Sequence, residues 1–315
     1  MSSFASDRAN PHGIDAIELL IIAPKLYDDI QQIAILVGNP HQVGSPRHPL
    51  NATTMIRNIA LAVLFLVALA AWGQAARAEA FDDIVKAGRI RVAIAVGTPL
   101  FSYYDASGQL VGSDVETASR LAKDLGVKLE VVVVPNAARI PTLQADKVDI
   151  VVADLAITPE RAKAIDFSPP YAALTLIVAA PKSVAVRSYT DLAGKHVGVT
   201  RATVNDTLTS QGAKDAEIVR VEDDATLIDM AAKGSIDAFS STPPNLGEVA
   251  RRAPGAAWER KFDQQDFLLG IAMNKGQPKL EAWIDAWVAA RLEDGTLGDV
   301  YRKYHGHDLP ASVRP

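Results

Sequence analysis

In Asp149-Ile-Val-Val-Ala-Asp154-Leu-Ala-Ile-Thr158-Pro-Glu-Arg161-Ala-Lys-Ala-Ile-Asp166-Phe-Ser168-Pro-Pro-Tyr171 a short apolar run, a polar loop and a helix start follow one another. The nearly continuous apolar run at 150–153 suits a parallel strand covered by helices on both faces. Thr158 followed by Pro159 reads as an N-cap and first helical residue, because the hydroxyl accepts an orphan backbone N–H and proline lacks the donor that would go unused there. A helix therefore begins at the carboxyl end of a strand, the edge of an open α/β sheet where ligands bind, and its free N–H groups favour an anion. Arg161 falls in that first turn, where a lone cation opposes the helix dipole by about 0.3–1 kcal/mol. The placement makes sense if a carboxylate arrives to take the bidentate, charge-assisted bonds of the guanidinium. The alternative is a surface ion pair with Asp154 or Asp166.

Upstream of this stretch, residues 89–96 read as a strand ending in a Gly-Thr-Pro turn, and 101–111 as a small hairpin. Ser113 or Asp114 can cap a helix that carries Val115, Ala118, Leu121, Ala122 and Leu125 on one face and stops at Gly126. Residues 127–134 are too β-branched to prefer helix, and a helix at 140–145 leads into the opening stretch. Strand alternating with helix implies a parallel sheet.

Downstream, 174–180 is a strand, and Pro181 marks a change of unit. The alternation then repeats, with strands at 196–199, 216–221 and 236–240 and helices at 205–211 and 225–233. Lys147-Val148-Asp149-Ile150-Val151 resembles Ser235-Ile236-Asp237-Ala238-Phe239, and in that register Asp154 corresponds to Thr242. Two similar lobes would offer two strand-end loops to one cleft. A last strand at 267–273 precedes an amphipathic helix at 279–293, with Leu280, Trp283, Ile284, Trp287, Val288 and Leu292 facing the core and Gly295 closing it. Crossings near 174–180 and 267–273 would make a two-stranded hinge.

The 315 residues, 49% of them hydrophobic, suffice for two lobes with their own cores. With 32 basic and 37 acidic residues, a net charge of −5 and no basic run, nucleic-acid binding has no electrostatic footprint. Cysteine is absent, which excludes a disulfide framework, a thiolate metal site, a cysteine nucleophile and a lipidated N-terminal cysteine. Neither Gly-x-Ser-x-Gly, His-Glu-x-x-His nor a P-loop occurs. His305-Gly-His307 lacks the further ligands a metal needs and reads as surface, so neither cofactor nor metal is expected.

Met55 opens a single positive charge, an apolar run at 59–72 and an Ala-x-Ala sequence at 76–78. These are the parts of a secretory signal peptide at 55–78, cleaved after Ala78 or Ala80; the run is short for a spanning helix, the alternative being a retained anchor. Residues 1–54 then read as a non-native or unprocessed extension, 79–179 with 270–315 as a discontinuous first lobe, and 180–269 as the second.

The order of Gly108-Gln-Leu-Val-Gly-Ser-Asp114, Arg139-Ile-Pro-Thr-Leu143, Val148-Asp149, Ile157-Thr-Pro-Glu-Arg161, Asp166-Phe-Ser-Pro-Pro-Tyr171, Asp191-Leu-Ala-Gly-Lys195 and Glu293-Asp-Gly-Thr-Leu297 resembles family three of the extracellular solute-binding proteins, which serve polar amino-acid transporters. The resemblance covers about residues 89–306. It implies an α/β, two-lobed type II periplasmic-binding-protein fold, each lobe a mostly parallel sheet flanked by helices, joined by a two-stranded hinge. It also implies that Arg161 grips a ligand α-carboxylate, helped by the loop Arg201-Ala202-Thr203-Val204-Asn205, where Thr203 matches the family pattern and the usual glycine does not. The family's ammonium-holding Asp is Thr242 here, its first-lobe Ser/Thr is Ala156, and the aromatic that covers the side chain is replaced by Asn136 or Thr98. Phe101 is also expected at the ligand. Asp154, where relatives carry Ser or Gly, is expected to supply the missing negative charge. Arg139 resembles the arginine of acidic-amino-acid binders and is expected either to hold a second carboxylate or to be exposed before its helix. The implied function is a periplasmic, monomeric, non-catalytic receptor that closes on a polar amino acid or related small carboxylate and delivers it to an ABC permease in the inner membrane. Alternatives are a dehydratase-like enzyme on the same fold and a sensing module for a membrane receptor.

Overall fold

The computed structural model of the protein describes residues 80–313; the expected extension at 1–54 and signal peptide at 55–78 lie outside them. Helix α1 (Ala80–Ala87) leads into β1 (Arg89–Ala95), the hairpin β2 (Tyr103–Tyr104) and β3 (Leu110–Val111), α2 (Ser113–Leu125), β4 (Lys128–Val134), α3 (Arg139–Gln144) and β5 (Ile150–Val151). As expected, α2 ends at Gly126. That residue adopts a left-handed φ of 77° and returns its amide to the Ala122 and Lys123 carbonyls, a conformation that favours glycine. Next come α4 (Pro159–Ala164), β6 (Asp166–Phe167) and the long β7 (Ala172–Pro181). The second half runs β8 (His196–Thr200), α5 (Val204–Gly212), β9 (Glu217–Val221), α6 (Asp224–Ala232), β10 (Ala238–Ser241), α7 (Pro243–Arg252) and β11 (Trp258–Leu269). The return is β12 (Ala272–Met273), α8 (Pro278–Glu293) and α9 (Thr296–His305).

Two five-stranded sheets result, ordered β4-β1-β5-β12-β6 and β11-β7-β10-β8-β9. In the first, β1 runs parallel to β4 and β5, while β12 is antiparallel to both β5 and β6. In the second, β8 runs parallel to β9 and β10, while β7 is antiparallel to β10 and β11. One strand in each sheet therefore opposes the other four, and the two sheets share one topology. The third strands, β5 and β10, are the pair whose sequences look alike.

Burial explains the strand chemistry. Ile90, Val92 and Ile94 of β1 pack with Leu121, Ile284 and Val288 on one face, and Ala93 and Ala95 with Leu143 and Ile165 on the other. Strand β7 is apolar on both faces for the same reason: Ile177 and Ala179 meet Leu227, Phe239 and Trp258, while Val178 and Ala180 meet Leu192 and Val197. The Trp pair of α8 packs as expected, Trp287 in the core with Nε1 donating to Asp124 (2.8 Å) and Trp283 against Phe81.

Three expectations need correcting. The boundary drawn at 179/180 falls inside β7, which belongs to the second sheet from Ala172 onward and pairs with β11 from Ala172↔Leu269 to Pro181↔Trp258. The chain crosses between lobes earlier, at 168–171 and at 270–271, where Ser168 and Ile271 bond each other and the Tyr171 amide donates to Leu269. The last strand is broken at Gly270, where a Cβ would come within 2.9 Å of Phe167 and 3.0 Å of Ile157. His305 is not a surface residue: its ring stacks on Tyr301 (4.0 Å), meets Phe101 edge-on (4.5 Å) and bonds the Ser113 hydroxyl (3.1 Å). No metal-binding group of three His, Cys, Asp or Glu occurs among the described residues.

Candidate ligand-binding cleft

The strand ends of both lobes face each other across a cavity of about 30 Å³ lined by Thr98, Asn136, Arg139, Asp154, Ala156, Arg161, Leu174, Thr203, Val204, Asn205, Asp224, Ser241 and Thr242. The structure thus brings together every site residue expected from the sequence except Phe101. That ring is buried against His305 and lines a neighbouring cavity of about 410 Å³ together with Leu100, whose φ is 74°.

Arg161 sits where the helix-start argument puts it. The Thr158 hydroxyl caps α4 by accepting the Arg161 amide (3.2 Å), and the guanidinium donates to the carbonyls of Ala156 (2.8 Å) and, across the cleft, Ala202 (3.3 Å). Among the described residues no carboxylate is within salt-bridge distance of it: Asp154 pairs with Arg139 (3.1 Å) and Asp166 with Lys275 (2.7 Å). Burial, aided by the nearby Arg139 charge, lowers its pKa to about 10, still protonated at neutral pH. Facing it is the first turn of α5, where Thr203 is the N-cap and accepts the Asp206 amide (3.2 Å). The amides of Val204 and Asn205 have no carbonyl four residues earlier to bond. Ala202, at the usual glycine position, is held at φ 59°. A guanidinium and a helix start on opposite walls are suited to an anion.

Arg139 is 3% exposed, so it is neither a free second carboxylate clamp nor a surface residue. Its Nε donates to the Asn136 carbonyl (3.0 Å) and its Nη1 to the Ala153 carbonyl (2.8 Å) and Asp154 Oδ1 (3.1 Å). Asp154 is held at φ 43°, its amide donating to Asp114 Oδ2 (2.7 Å), and Asp114 also receives the Tyr171 hydroxyl (2.7 Å). Burial, then each carboxylate's charge on its neighbours, pushes Asp114 and Asp154 upward.

Sequence reasoning missed Asp224. It opens α6 one residue after the N-cap Asp223 and is 7% exposed. It accepts the Thr98 hydroxyl from the first lobe (2.7 Å) and the Thr200 hydroxyl from its own. The only available signal was the acidic Glu222-Asp223-Asp224 after a strand, which looks like a solvated turn. Two further wall atoms, Asn136 Oδ1 and Thr242 Oγ1, are buried with no protein partner, and such groups are costly to leave unsatisfied.

Residues 90–307 match the model of the bacterial extracellular solute-binding proteins, family 3. The chain belongs to that family. Among family relatives, the L-cystine-binding protein TcyJ of Escherichia coli (strain K12) is 28% identical over 258 residues, covering 79% of this chain and 96% of the relative. The arginine-binding protein of T. maritima, as its P235GK mutant, superposes with a TM-score of 0.68 at 26% identity over 72% of this chain and 100% of its own. AncCDT-1, described as an ancestral amino acid-binding protein and a precursor of cyclohexadienyl dehydratase, gives a TM-score of 0.66 at 33% identity over 71% and 98%. The family's two-lobed type II periplasmic-binding-protein fold is the one observed, as the sequence motifs implied.

Proposed function

We propose that this protein is the periplasmic solute-binding component of an ABC transporter, closing its lobes on a polar amino acid or related small carboxylate without transforming it. The observation that carries the reading is Arg161, turned into an interlobe cavity opposite a helix start, with backbone carbonyls but, among the described residues, no carboxylate for partners. The unsatisfied Asn136 Oδ1 and Thr242 Oγ1 in the same wall ask for donors, which an amine-bearing acid brings. A cavity of about 30 Å³ is far below the roughly 300 Å³ of ordinary ligand pockets, so admission requires the lobes to part. Similarity to proteins named for cystine and arginine binding supports the solute class. Delivery to an inner-membrane permease, action as a monomer, export through the segment at 55–78 and lobes divided near 171/172 and 269/270 belong to the same reading. Among the described residues no helix is long and apolar enough to cross a membrane.

The test is a melting screen against amino acids, amines and small carboxylic acids, followed by calorimetry, since a ligand present at 100 times its Kd adds about 2.7 kcal/mol of apparent stability. Amine-bearing acids are expected to raise the melting temperature and Arg161→Ala to abolish the effect. Unchanged affinity in that variant, or no shift with any compound, would overturn the reading. The likeness to a dehydratase precursor and the upward-shifted Asp154 carboxyl favour a second reading as an enzyme. Product analysis after incubation with each bound compound separates the two, because a receptor returns its ligand unchanged.

A further inference from the structure

We propose that Asp224 is the anchor for the solute's cationic group, which in this chain is an ammonium. The inference rests on the receptor reading above and concerns its second charge. Four charged side chains line the cleft: Arg139, Asp154, Arg161 and Asp224. Arg139 and Asp154 neutralise one another at 3.1 Å, and Arg139 is further committed to two backbone carbonyls. Arg161 and Asp224 remain. Among the described residues the first bonds only carbonyls and the second only hydroxyls, so the cleft keeps one positive and one negative charge without ionic partners there, carried by different lobes. A zwitterion is the solute that completes both.

The type of cation follows from the neutral atoms that share the cavity with Asp224. Asn136 Oδ1 and Thr242 Oγ1 line the same cavity, belong to residues 8% and 5% exposed, and have no partner. An ammonium carries three N–H donors, and the wall offers three acceptors: the Asp224 carboxylate, the Asn136 carbonyl oxygen and the Thr242 hydroxyl. Asp224 is the first residue of α6, and the Thr98 and Thr200 hydroxyls hold its carboxylate in place without neutralising it. Because Thr98 belongs to the first lobe and Asp224 to the second, this anchor takes its geometry only when the lobes meet. Asp154, the residue the sequence alone would choose, supports the wall through Arg139 instead.

Calorimetry on the purified protein with matched probes tests this: L-alanine against propionate, L-glutamate against glutarate, and L-arginine and L-cystine as larger amines. Wild type is expected to bind amine-bearing probes more tightly than their deaminated partners. Asp224→Asn should weaken the amines by at least about thirtyfold, as for loss of one partner of a buried charge pair, while leaving the deaminated acids within about twofold. Thr242→Asp in the Asp224→Asn background, placing a carboxylate across the same wall, should restore amine binding. If Asp224→Asn keeps wild-type amine affinity while Asp154→Asn loses it, the proposal is overturned and Asp154 is the anchor. A melting curve in buffer shows whether Asp224→Asn folds. If it does not, Asp224→Glu, which keeps the charge but displaces it, is read instead, and equal weakening of amines and acids in that variant overturns the proposal. Failure of the receptor reading looks different: no probe binds wild type, or Arg161→Ala changes nothing.

Discussion

At the scale of single residues, backbone conformation separates Ala202 from its neighbours. It occupies the left-handed region at φ 59° while its carbonyl receives Arg161 from across the cleft. A non-glycine residue there is strained by roughly 1–2 kcal/mol. Ala202→Gly relieves that strain but frees the unfolded chain, which offsets part of the gain. The net expectation is a rise in stability of about 0.5–1 kcal/mol in urea melts with ligand affinity retained, since the carbonyl is kept. The same scale shows what sequence could reveal of the site. Arg161 was legible because the local signals of a helix start and a strand end converge on it. Asp224 was not, because nothing in Glu222-Asp223-Asp224 says which carboxylate turns inward; that depends on Thr98, which arrives from the other lobe. The burial of Arg139 was hidden for the same reason, since the Ala153 carbonyl and the Asp154 carboxylate that it bonds lie fourteen and fifteen residues away.

At the scale of elements, α9 couples the C-terminal region to the first lobe through His305. Burial, with the His307 charge adding to it, lowers the pKa of this imidazole to about 4, against about 6.5 for a free side chain. Between those values the unfolded chain binds a proton that the folded one refuses, so this contribution to stability is complete above about pH 6.5 and is lost as the pH falls toward 4. His305→Phe keeps a ring against Tyr301 and Phe101 but cannot titrate. Urea midpoints measured at pH 7 and pH 5 should therefore fall less in the variant than in wild type; equal falls would show that His305 does not titrate as described. Elements with two-sided apolar burial, such as β7, were legible from hydrophobic runs. Strand β11 was not: it lies at a sheet edge, carries Glu259, Arg260, Asp263 and Asp266, and extends only because it is zipped to β7.

At the scale of the molecule, the cleft bonds from Thr98 to Asp224 and from Arg161 to Ala202 join the two lobes at some distance along the chain from the short crossings. At the crossings, Ile157 also bonds Leu268 and the Tyr301 hydroxyl bonds the Ala173 carbonyl. Solute entry must break the cleft bonds, and solute capture must remake them. The chain has no cysteine, so a label pair introduced at Lys163 and Gln211, exposed on opposite lobes, reports the gap without interference. Fluorescence transfer between the labels is expected to rise on binding, because ligand shifts the population toward the closed form; unchanged transfer with saturating ligand would exclude lobe closure as the response. The duplicated topology was partly legible in the matching segments at 147–151 and 235–239, whereas the first crossing was placed too late because the uninterrupted apolar run of β7 hid that the strand already belongs to the second sheet at Ala172.

Strand β12 lies between β5 and β6, so the sheet that the chain begins at Arg89 has a gap in its middle until Ala272 is in place. Every strand of the other sheet lies between Ala172 and Leu269. A ribosome delivers the chain from its first residue, yet the lobe started first is the one completed last. The later lobe can close while its elder is still missing a central strand.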